Sequence, residues 1–307
     1  MTTAAPTRIA DRLSIETSIG NTPLIELRRL TARLPTRVRV FAKAEHLNPG
    51  GSVKDRAALS MILDAERKGN LYAGKTILDA SSGNTGIAYG MIAAARGYDV
   101  TLCLPRNATA ERKHILRAYG VEIIETDPSE GTDGAQVLAH ELAEEFSNKY
   151  VYLDQYNNEA NWRAHYETTG REIWEQTDGS VTHFVTGLGT TGTFTGVTRR
   201  LRDYRPSIRS IAVQPDLPLH GMEGLKHMAT AHVPGIYESS LPDDQLAVDT
   251  ESALEIKEKL AKEEGLFVGP SSGANVFATL EVARELPAGS VVVTILCDGG
   301  EKYLSGQ

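Results

Sequence analysis

Residues 182–204 read THFVTGLGTTGTFTGVTRRLRDY, a succession of three different patterns. The run at 182–186 is short, contains Phe184 and Val185 and is rich in β-branched residues, which is typical of a strand. A loop rich in glycine and threonine follows at 187–193, and a helical pattern at 193–204 comes next. Strands that pass through such loops into helices are the repeating units of parallel α/β sheets. This stretch therefore predicts an α/β fold.

The same alternation continues along the chain. Runs typical of strands lie at 38–44, 76–79, 100–104, 121–125, 182–186, 208–213 and 290–296. Helical patterns lie at 53–68, 85–96, 109–119, 131–146, 158–176, 193–204, 250–264 and 274–285. Strands and helices that alternate predict mainly parallel sheets with helices on both faces. Ligands of such sheets bind beyond the carboxyl ends of the strands, so the strand-to-helix loops are the place to look for a site.

The length of 307 residues is enough for two α/β domains. We expect a large domain from 1–42 and 155–307, and a smaller, mobile, substrate-binding domain from 43–154. Residues 217–244 interrupt the alternation with a long stretch that is punctuated by proline and glycine. Loops of that length in compact domains are usually functional or mobile.

The composition argues against nucleic acid and membrane as partners. The chain has 32 Lys and Arg against 40 Asp and Glu, so its net charge is −8, whereas phosphate backbones require a basic surface. Its apolar stretches are shorter than the roughly 18 residues of a spanning helix. Residues 1–11 lack the apolar segment of a secretory signal. We therefore expect a cytoplasmic enzyme that acts on small molecules.

The cysteines and histidines indicate neither a disulfide framework nor a metal site. Cys103 and Cys297 are far apart, and each lies in an apolar run. Small buried hydrophobic side chains in strands are therefore the prediction for both. The eight histidines form no HExxH motif, so we expect no protein metal ligands.

The first motif with chemical content is NPGGSVKDR at 48–56. It places Lys54 in the first turn of a predicted helix, where the positive helix terminus disfavours a cation. A partly buried lysine there would have a lowered pKa and could form a Schiff base. The alternative is a surface lysine paired with Asp55 or Asp64, and this motif alone favours that alternative.

The second motif is SSGNTG at 81–86, directly after a predicted strand. Its hydroxyls, its amide and the free N–H groups of the following helix would suit a carboxylate. The alternative is a helix N-cap, for which serine, asparagine and threonine are all common. One cap needs one such residue, and four occur in five positions. The motif therefore favours a binding site.

The third motif, GLGTTGT at 187–193, matches the dinucleotide fingerprint GxGxxG, with Asp216 at a tolerable distance for a ribose acid. A nucleotide-binding dehydrogenase is therefore an alternative. However, the three threonines add hydroxyl donors beside the backbone N–H groups. A terminal phosphate monoester can use that many donors, so the loop favours a cup for a monoester.

The fourth motif is GPSSGA at 269–274. Ser272 is a candidate N-cap for the next helix, which leaves Ser271 free for a ligand. Together the four motifs supply an amine, a carboxylate site, a phosphate cup and a hydroxyl. Pyridoxal 5'-phosphate needs an amine for its aldehyde, a cup for its phosphate and a partner for its ring nitrogen. An amino-acid substrate needs the carboxylate site.

These motifs resemble those of the cysteine synthase family. The matching segments are GNTPL at 20–24, NPGGSVKDR at 48–56, SSGNTG at 81–86, DQY at 154–156, GLGTTGT at 187–193 and GPSSGA at 269–274. The resemblance runs in order from about residue 19 to 305, and residues 165–176 and 297–305 are most similar to the B-type O-acetylserine sulfhydrylases. It implies the tryptophan-synthase-β-like fold, fold type II of the pyridoxal-phosphate enzymes.

The resemblance also implies a role for each site residue. Lys54 would be the Schiff-base lysine and proton shuttle, Asn84 would bond the phenolic oxygen of the cofactor ring, and Ser271 would face its pyridine nitrogen. The phosphate would be bound by Gly189, Thr190, Thr191, Gly192 and Thr193. The substrate carboxylate would be bound by Ser81, Ser82, Gly83, Thr85 and Gln155.

The implied activity is β-replacement, which makes L-cysteine from O-acetyl-L-serine and sulfide and releases acetate. A neutral Ser271 hydroxyl cannot hold the ring nitrogen protonated as a carboxylate would, which favours loss of a β-leaving group over transamination or racemisation. The resemblance also implies a homodimer. The alternatives are an O-phosphoserine sulfhydrylase, a cystathionine β-synthase and a catalytically silent protein that binds pyridoxal phosphate.

The chain departs from the family pattern at a few positions. Ser81 stands where threonine is usual, Pro270 replaces isoleucine or valine, and the pair Gly299–Gly300 is atypical. Ser81 keeps the hydroxyl, so carboxylate binding should survive. Lys226, in the long loop, could meet a substrate phosphate, although a solvated loop lysine is the preferred interpretation.

Overall fold

A computed structural model, which describes residues 14–35, 37–81 and 83–306, contains two β-sheets. The strands are β1 (Leu24–Glu26), β2 (Arg39–Ala44), β3 (Thr76–Ala80), β4 (Asp99–Pro105), β5 (Glu122–Thr126), β6 (Tyr150–Tyr152), β7 (His183–Gly187), β8 (Arg209–Pro215), β9 (Asp244–Val248) and β10 (Val291–Leu296). The six-stranded sheet has the order β1-β2-β10-β7-β8-β9 and the four-stranded sheet has the order β5-β4-β3-β6. Apart from the antiparallel pair of β1 and β2, neighbouring strands are parallel.

Helices connect these strands. They are α1 (Arg28–Thr31), α2 (Lys54–Arg67), α3 (Asn84–Arg96), α4 (Ala110–Ala118), α5 (Gly131–Glu145), α6 (Glu159–Ala164), α7 (Gly170–Gln176), α8 (Gly192–Tyr204), α9 (Thr250–Lys259) and α10 (Pro270–Arg284). A π-helical turn, His165–Thr169, joins α6 to α7, and another, Leu260–Glu264, follows α9. Short 3-10 turns lie at Ile15–Ser18, Glu45–Leu47, Pro128–Glu130 and Gly300–Gly306. The predicted α/β class with mainly parallel sheets is confirmed.

Both sheets are covered on their two faces by apolar side chains. Along β10, Val292 and Leu296 join the core on one face, whereas Val293 and Ile295 join the core on the other. This alternation follows from the two-residue period of a strand. Every residue of β10 is buried, which explains its unbroken apolar sequence.

The structure differs from the prediction mainly at the edges of the sheets. The short strand β6 lies at one edge of the smaller sheet, and β9 lies at one edge of the larger. In β9 only Val248 is buried, so the strand lacks the apolar run that would have predicted it. β1 has only three residues, too few to show the pattern of a strand in the sequence. Helix α10 begins at Pro270 and not at 274, because proline is well suited to the first helical position.

The two sheets divide the chain in a simple way. The strands of the smaller sheet all lie between Thr76 and Tyr152, and those of the larger sheet lie on either side of that segment. The division into domains at 43 and 155 stays a prediction. Within the described residues, no helix is both long and apolar enough to cross a bilayer. Since β2, β10 and β7 are parallel neighbours, the loops that follow them lie side by side at the carboxyl ends of these strands.

Candidate active site

The loop before α2 is a tight turn that is fixed by a buried carboxylate. The backbone N–H of Gly50 donates to Asp55 Oδ2 at 2.5 Å, and a Cβ at Gly50 would lie only 2.6 Å from the other carboxylate oxygen. Gly51 has a φ of +73°, which glycine adopts without strain. The N–H of Val53 donates to the carbonyl of Cys297 at 2.8 Å, so the loop is tied to the end of β10. The turn delivers Lys54 as the first residue of α2.

Lys54 is a partly buried amine without a partner in the described part of the chain. No hydrogen bond or ion pair of its Nζ to a described residue is formed, and burial lowers its pKa. The alternative of a surface lysine paired with Asp55 or Asp64 is wrong. Asp55 accepts from the backbone of Gly50, and Asp64 pairs with Lys68 at 2.6 Å. A lysine with a lowered pKa and a free amine is suited to act as a nucleophile or a base.

The segment before α3 combines a helix cap with a candidate carboxylate site. Ser81 Oγ accepts from the N–H groups of Gly83 at 3.3 Å and Gly86 at 3.1 Å, so part of the motif does cap the helix. Its own O–H remains available as a donor. Thr85 Oγ1 donates to Gln155 Oε1 at 2.8 Å, which brings two predicted carboxylate ligands into contact. Ser82 lies outside the described residues.

The Gln155 side chain is held at both ends. Its Nε2 donates to the carbonyl of Ala80 at 2.8 Å while its Oε1 accepts from Thr85. A carboxamide nitrogen carries two protons, so one donor remains for a ligand. The N-terminus of the 13-residue α3 adds free N–H groups and a positive dipole. The arrangement can bind a carboxylate.

The loop between β7 and α8 forms a cradle in which a Cβ would not fit. A Cβ at Gly189 would lie 2.2 Å from the Gly224 carbonyl oxygen, and one at Gly192 would lie 2.0 Å from Asn161 Oδ1. Thr191 has a φ of +70°, a strained conformation for a β-branched residue. Its buried Oγ1 has no partner among the described residues. An unpaired hydroxyl at the start of a 13-residue helix fits an anionic ligand.

The other two threonines of this loop are supported from behind. Thr190 Oγ1 accepts from Asn161 Nδ2 at 3.1 Å, and Thr193 Oγ1 lies 3.3 Å from His165 Nε2. Burial lowers the pKa of His165 to about 3, so the ring is neutral. The positive potential of the loop therefore comes from backbone N–H groups and the helix dipole rather than from this histidine.

Ser271 lies on the first turn of α10 and is buried. The N-cap of that helix is Gly269, and Ser272 Oγ accepts from the N–H of Cys297 at 2.9 Å. The expectation that Ser272 caps the helix is therefore wrong. Pro270 occupies the first helical position, where an N–H has no intrahelical partner, so the helix loses no internal hydrogen bond.

Two adjoining cavities contain the residues singled out from the sequence. The predicted residues of the first are Lys54, Asn84, Gly189, Thr190, Thr191, Thr193 and Ser271. Those of the second are Lys54, Ser81, Gly83, Asn84, Thr85, Gln155, Gly189 and Thr190. Lys54 and Asn84 line both cavities, so the amine lies between the phosphate cradle and the candidate carboxylate site. Gly192 lines neither cavity. It contributes to the cradle because its missing Cβ leaves room for the Asn161 side chain.

The structure also places residues here that the sequence did not indicate. Cys297 follows the last residue of β10, packs against the core and is only partly buried, and it also lines the first cavity beside Ser271, which its interpretation as a core residue did not include. Cys103 is buried in β4 as predicted. Lys226 lines the second cavity and its side chain is 13% exposed, so it is not a solvated loop lysine. It lies 3.4 Å from Asp133 and over the ring of Tyr156.

A charged cluster at the end of β10 adjoins Asn84. Asn84 Nδ2 donates to Asp298 Oδ2 at 2.7 Å, and Lys302 Nζ donates to Asn84 Oδ1 at 2.8 Å. The signal that could have found this cluster is its position, directly after a buried strand at the ligand-binding edge. The atypical Gly300 belongs to the same turn, and a Cβ there would lie 2.9 Å from the ring of Phe267.

These residues fit pyridoxal phosphate. They offer a free amine, a cradle with an unpaired hydroxyl, a neutral hydroxyl at Ser271 and a carboxamide at Asn84, all on one cavity. Comparison with known proteins agrees, since the family model for pyridoxal-phosphate dependent enzymes matches residues 15–298. The chain belongs to this family, so it is an enzyme whose cofactor is pyridoxal phosphate. The alternative of a nucleotide-binding dehydrogenase is therefore wrong.

Individual relatives show which kind of pyridoxal-phosphate enzyme the chain resembles. The chain is 51% identical to the cysteine synthase of Aquifex aeolicus over 94% of this chain and 89% of that protein. It is 45% identical to cysteine synthase B of Salmonella typhimurium over 95% and 94% of the two chains. The crystal structure of a cysteine synthase from Entamoeba histolytica superposes with a TM-score of 0.91, at 34% identity, over 99% of this chain and 92% of that one. The resemblance to the cysteine synthase family is thereby confirmed.

Proposed function

We propose that the chain makes L-cysteine by β-replacement, from O-acetyl-L-serine and sulfide, with release of acetate. The observation that carries this proposal is the position of Lys54. Lys54 lines both cavities, so its unpaired amine lies between the cradle suited to a phosphate and the candidate carboxylate site. An amino acid with a leaving group on its β-carbon is the substrate class that this arrangement serves.

Lys54 takes the central role. Pyridoxal phosphate, when bound, supplies an aldehyde for amines and an electron sink for chemistry at the α- and β-carbons. Since burial lowers the pKa of Lys54, more of its amine is neutral at physiological pH than for an exposed lysine. A neutral amine beside the substrate can accept the proton from its α-carbon.

The substrate is oriented by its carboxylate. Ser81, Ser82, Gly83, Thr85 and Gln155 bind it in this proposal, and the positive end of α3 adds to their attraction. The bond from Thr85 to Gln155 fixes both side chains before the substrate arrives, so little entropy is lost on binding. The carboxylate held in this way directs the α-proton towards Lys54.

The cofactor is held by three further groups of residues. The phosphate would be bound by Gly189, Thr190, Thr191, Gly192 and Thr193, while Asn84 would bond the phenolic oxygen and Ser271 would face the pyridine nitrogen. A serine hydroxyl is neutral, so it does not stabilise a protonated ring nitrogen. Long-lived negative charge on the ring is then disfavoured, and expulsion of a β-leaving group is preferred over transamination or racemisation.

A second candidate substrate is O-phospho-L-serine, which is favoured by the position of Lys226. Its ammonium group lines the same cavity as Lys54, where it could meet a phosphate leaving group. Asp133 lies 3.4 Å from that ammonium and offsets part of its charge. This balance supports the uncharged acetyl group as the preferred leaving group. No contact among the described residues favours homocysteine over sulfide, the choice that distinguishes a cystathionine β-synthase.

A spectral titration of the holoenzyme tests the proposal. O-acetylserine, O-phosphoserine and serine are added in turn while the visible band of the cofactor is recorded, and sulfide or homocysteine is then added. O-acetylserine should change the band at the lowest concentration, and sulfide should restore it with release of L-cysteine. Restoration by homocysteine alone, or a band change with no thioether or thiol product, would overturn the proposal and favour a cystathionine β-synthase or a silent protein.

The variant Lys226→Met tests whether the leaving group of the substrate is acetyl or phosphate. If a phosphate leaving group contacts Lys226, the variant should lose at least about tenfold in kcat/KM for O-phosphoserine and less for O-acetylserine. Lys262→Met is the matched control, since Lys262 is exposed and pairs with Glu258 on the surface. An equal loss for both substrates would remove the support for O-phosphoserine.

Location and assembly are proposals as well. We propose a homodimer in the cytoplasm, on the basis of the family resemblance. Light scattering of the purified holoenzyme should give twice the chain mass of 33.3 kDa. A mass of 33.3 kDa at micromolar concentration would contradict the dimer.

A further inference from the structure

Lys302 is an unusual cation, because its ammonium group is buried against three neutral oxygens. Only 4% of the residue is exposed. Its Nζ donates to the carbonyls of Gly50 and Gly51 at 3.0 Å each, and to Asn84 Oδ1 at 2.8 Å. An ammonium group has three protons and accepts nothing, so these three bonds use all its donors.

The Asn84 carboxamide lies between this donor and an acceptor. Its Oδ1 accepts from Lys302, and its Nδ2 donates to Asp298 Oδ2. If the carboxamide rotated by half a turn, its N–H groups would face the ammonium and its carbonyl would face the carboxylate. Both contacts would be repulsive, so the two neighbours enforce the same orientation.

Asp298 keeps its role as an acceptor in either protonation state. Its Oδ2 accepts from Asn84 and also from the hydroxyl of Tyr303 at 2.6 Å. Burial raises the pKa of Asp298, and these two hydrogen bonds together with Lys302 oppose that rise. If a proton binds, Oδ1, which has no hydrogen-bond partner among the described residues, is the oxygen that is free to carry it. The oxygen that faces Asn84 therefore remains an acceptor.

We propose that Lys302 is a positioning residue that fixes the Asn84 carboxamide so that its second N–H faces the cofactor. One Nδ2 proton is used by Asp298, and the other remains for a group in the cavity that Asn84 lines with Lys54. The inference rests on the proposed role of Asn84, which is to donate to the phenolic oxygen of the ring. Without Lys302, Asp298 alone would orient the carboxamide, so the second N–H would be directed less firmly at that phenolic oxygen and would bind it more weakly.

The test uses the cofactor without any substrate, so that it is independent of the proposed reaction. Lys302→Met removes the donor but keeps a side chain of similar length, and Lys302→Arg keeps a cation without acceptors. The dissociation constant of pyridoxal phosphate and the pH dependence of its visible band are measured for each. Lys302→Met should weaken cofactor binding at least about tenfold and shift the pH midpoint of the band, whereas Lys302→Arg should restore most of both.

A double-mutant cycle distinguishes positioning from simple support of the loop at Gly50 and Gly51. In an Asn84→Ala background, Lys302→Met should add less than about twofold to the loss of cofactor affinity, because the group through which it acts is gone. Additive losses would show that Lys302 supports the loop only, and would overturn the inference. So would an Asn84→Ala protein whose band and affinity match those of the native enzyme. If Lys302→Met does not fold, failure of Lys302→Arg to preserve the band is the contradicting result.

Discussion

The Ser271 hydroxyl is neutral, and a charged side chain at this position would change the reaction that the cofactor supports. Ser271 is 4% exposed and lines the cavity of Lys54. Ser271→Asp would place a carboxylate opposite the ring nitrogen, hold that nitrogen protonated and stabilise charge on the ring. We expect cysteine formation to fall about 100-fold or more, which is comparable to the loss when one preorganised electrostatic group of an active site is removed. The measurement is kcat/KM with O-acetylserine and sulfide.

Ser271→Asn is the matched control, since asparagine has the shape of aspartate without its charge. It should lose clearly less activity than Ser271→Asp. Aspartate should also raise the amount of keto acid formed per cysteine, as transamination becomes easier. Equal losses in the two variants would show that size, rather than charge, matters at this position.

The pH dependence of stability should report Asp79. This residue of β3 is fully buried, accepts from the Tyr89 hydroxyl at 2.7 Å, and has a pKa that burial raises to about 7. Its pKa in the unfolded chain is about 3.9. Between these values the folded state holds a proton that the unfolded state has lost. The free energy of unfolding therefore falls as the pH rises from about 4 to 7, and Asp79 stabilises least above pH 7.

Asp79→Asn removes this titration. The free energy of unfolding of the variant minus that of the native enzyme should increase from pH 5 to pH 8 by about 1 kcal/mol or more. Urea denaturation at the two pH values gives this difference, and Asp99→Asn at an exposed position is the control. A difference for Asp79→Asn that does not change with pH would contradict the assignment.

Single site residues could be predicted from the sequence where a residue type is unusual for its position in an element. Lys54 is conspicuous because a cation opens a helix, and GLGTTGT has more hydroxyls than a turn needs. Lys226 and Lys302 were not predicted as site residues, since a lysine in a loop is usually solvated. Only the fold shows that Lys302 meets three carbonyl oxygens and that Lys226 faces a cavity.

At the scale of the elements, a buried ion network joins β2 to α2 and α7. Glu172 Oε2 lies 2.6 Å from Lys43 Nζ, and its Oε1 lies 2.6 Å from Arg56 Nη1. Arg56 also contacts Glu45 at 2.7 Å, so two buried cations face two buried carboxylates. Although burial opposes it, Arg56 and Lys43 lower the pKa of Glu172 to about 2. The network is charge-balanced only while both carboxylates are present.

Glu172→Gln should therefore destabilise the protein strongly. It leaves one cation uncompensated in the interior, which typically costs about 3–5 kcal/mol. Glu159→Gln is the matched control, because Glu159 and Arg163 form an exposed pair on α6 that is worth about 0.5 kcal/mol or less. Urea denaturation of the two variants tests this. A similar, small loss for both would show that the buried network contributes little.

Every inner strand could be predicted from the sequence, whereas three of the four edge strands, β1, β6 and β9, could not. All seven predicted strands exist: six lie inside the sheets, and the seventh, β5, is an edge strand that the β-branched pair Ile123 and Ile124 indicates. β9 is half-exposed, and β1 and β6 have three residues each, so none shows that signal. The start of α10 was missed because PSSG resembles a loop, although proline is favoured at the first position of a helix.

At the scale of the whole molecule, the site depends on contacts between segments that are far apart in the sequence. The bond between Thr85 and Gln155 spans 70 residues, and that between Asn84 and Asp298 spans 214. The sequence motifs indicated which loops carry chemistry, and the rule for parallel sheets indicated their common edge. The order of the strands, which makes β10 the neighbour of β2, cannot be deduced from periodicity.

The central claim is that the amine of Lys54 bonds covalently to pyridoxal phosphate, and reductive labelling tests it most directly. The holoenzyme is treated with borohydride and digested, and the peptides are analysed by mass spectrometry. We predict that the visible band disappears and that a phosphopyridoxyl group is found on Lys54, with no label in the Lys54→Ala protein. A label on another lysine, such as Lys302 or Lys226, or a native protein that carries no label, would contradict the account.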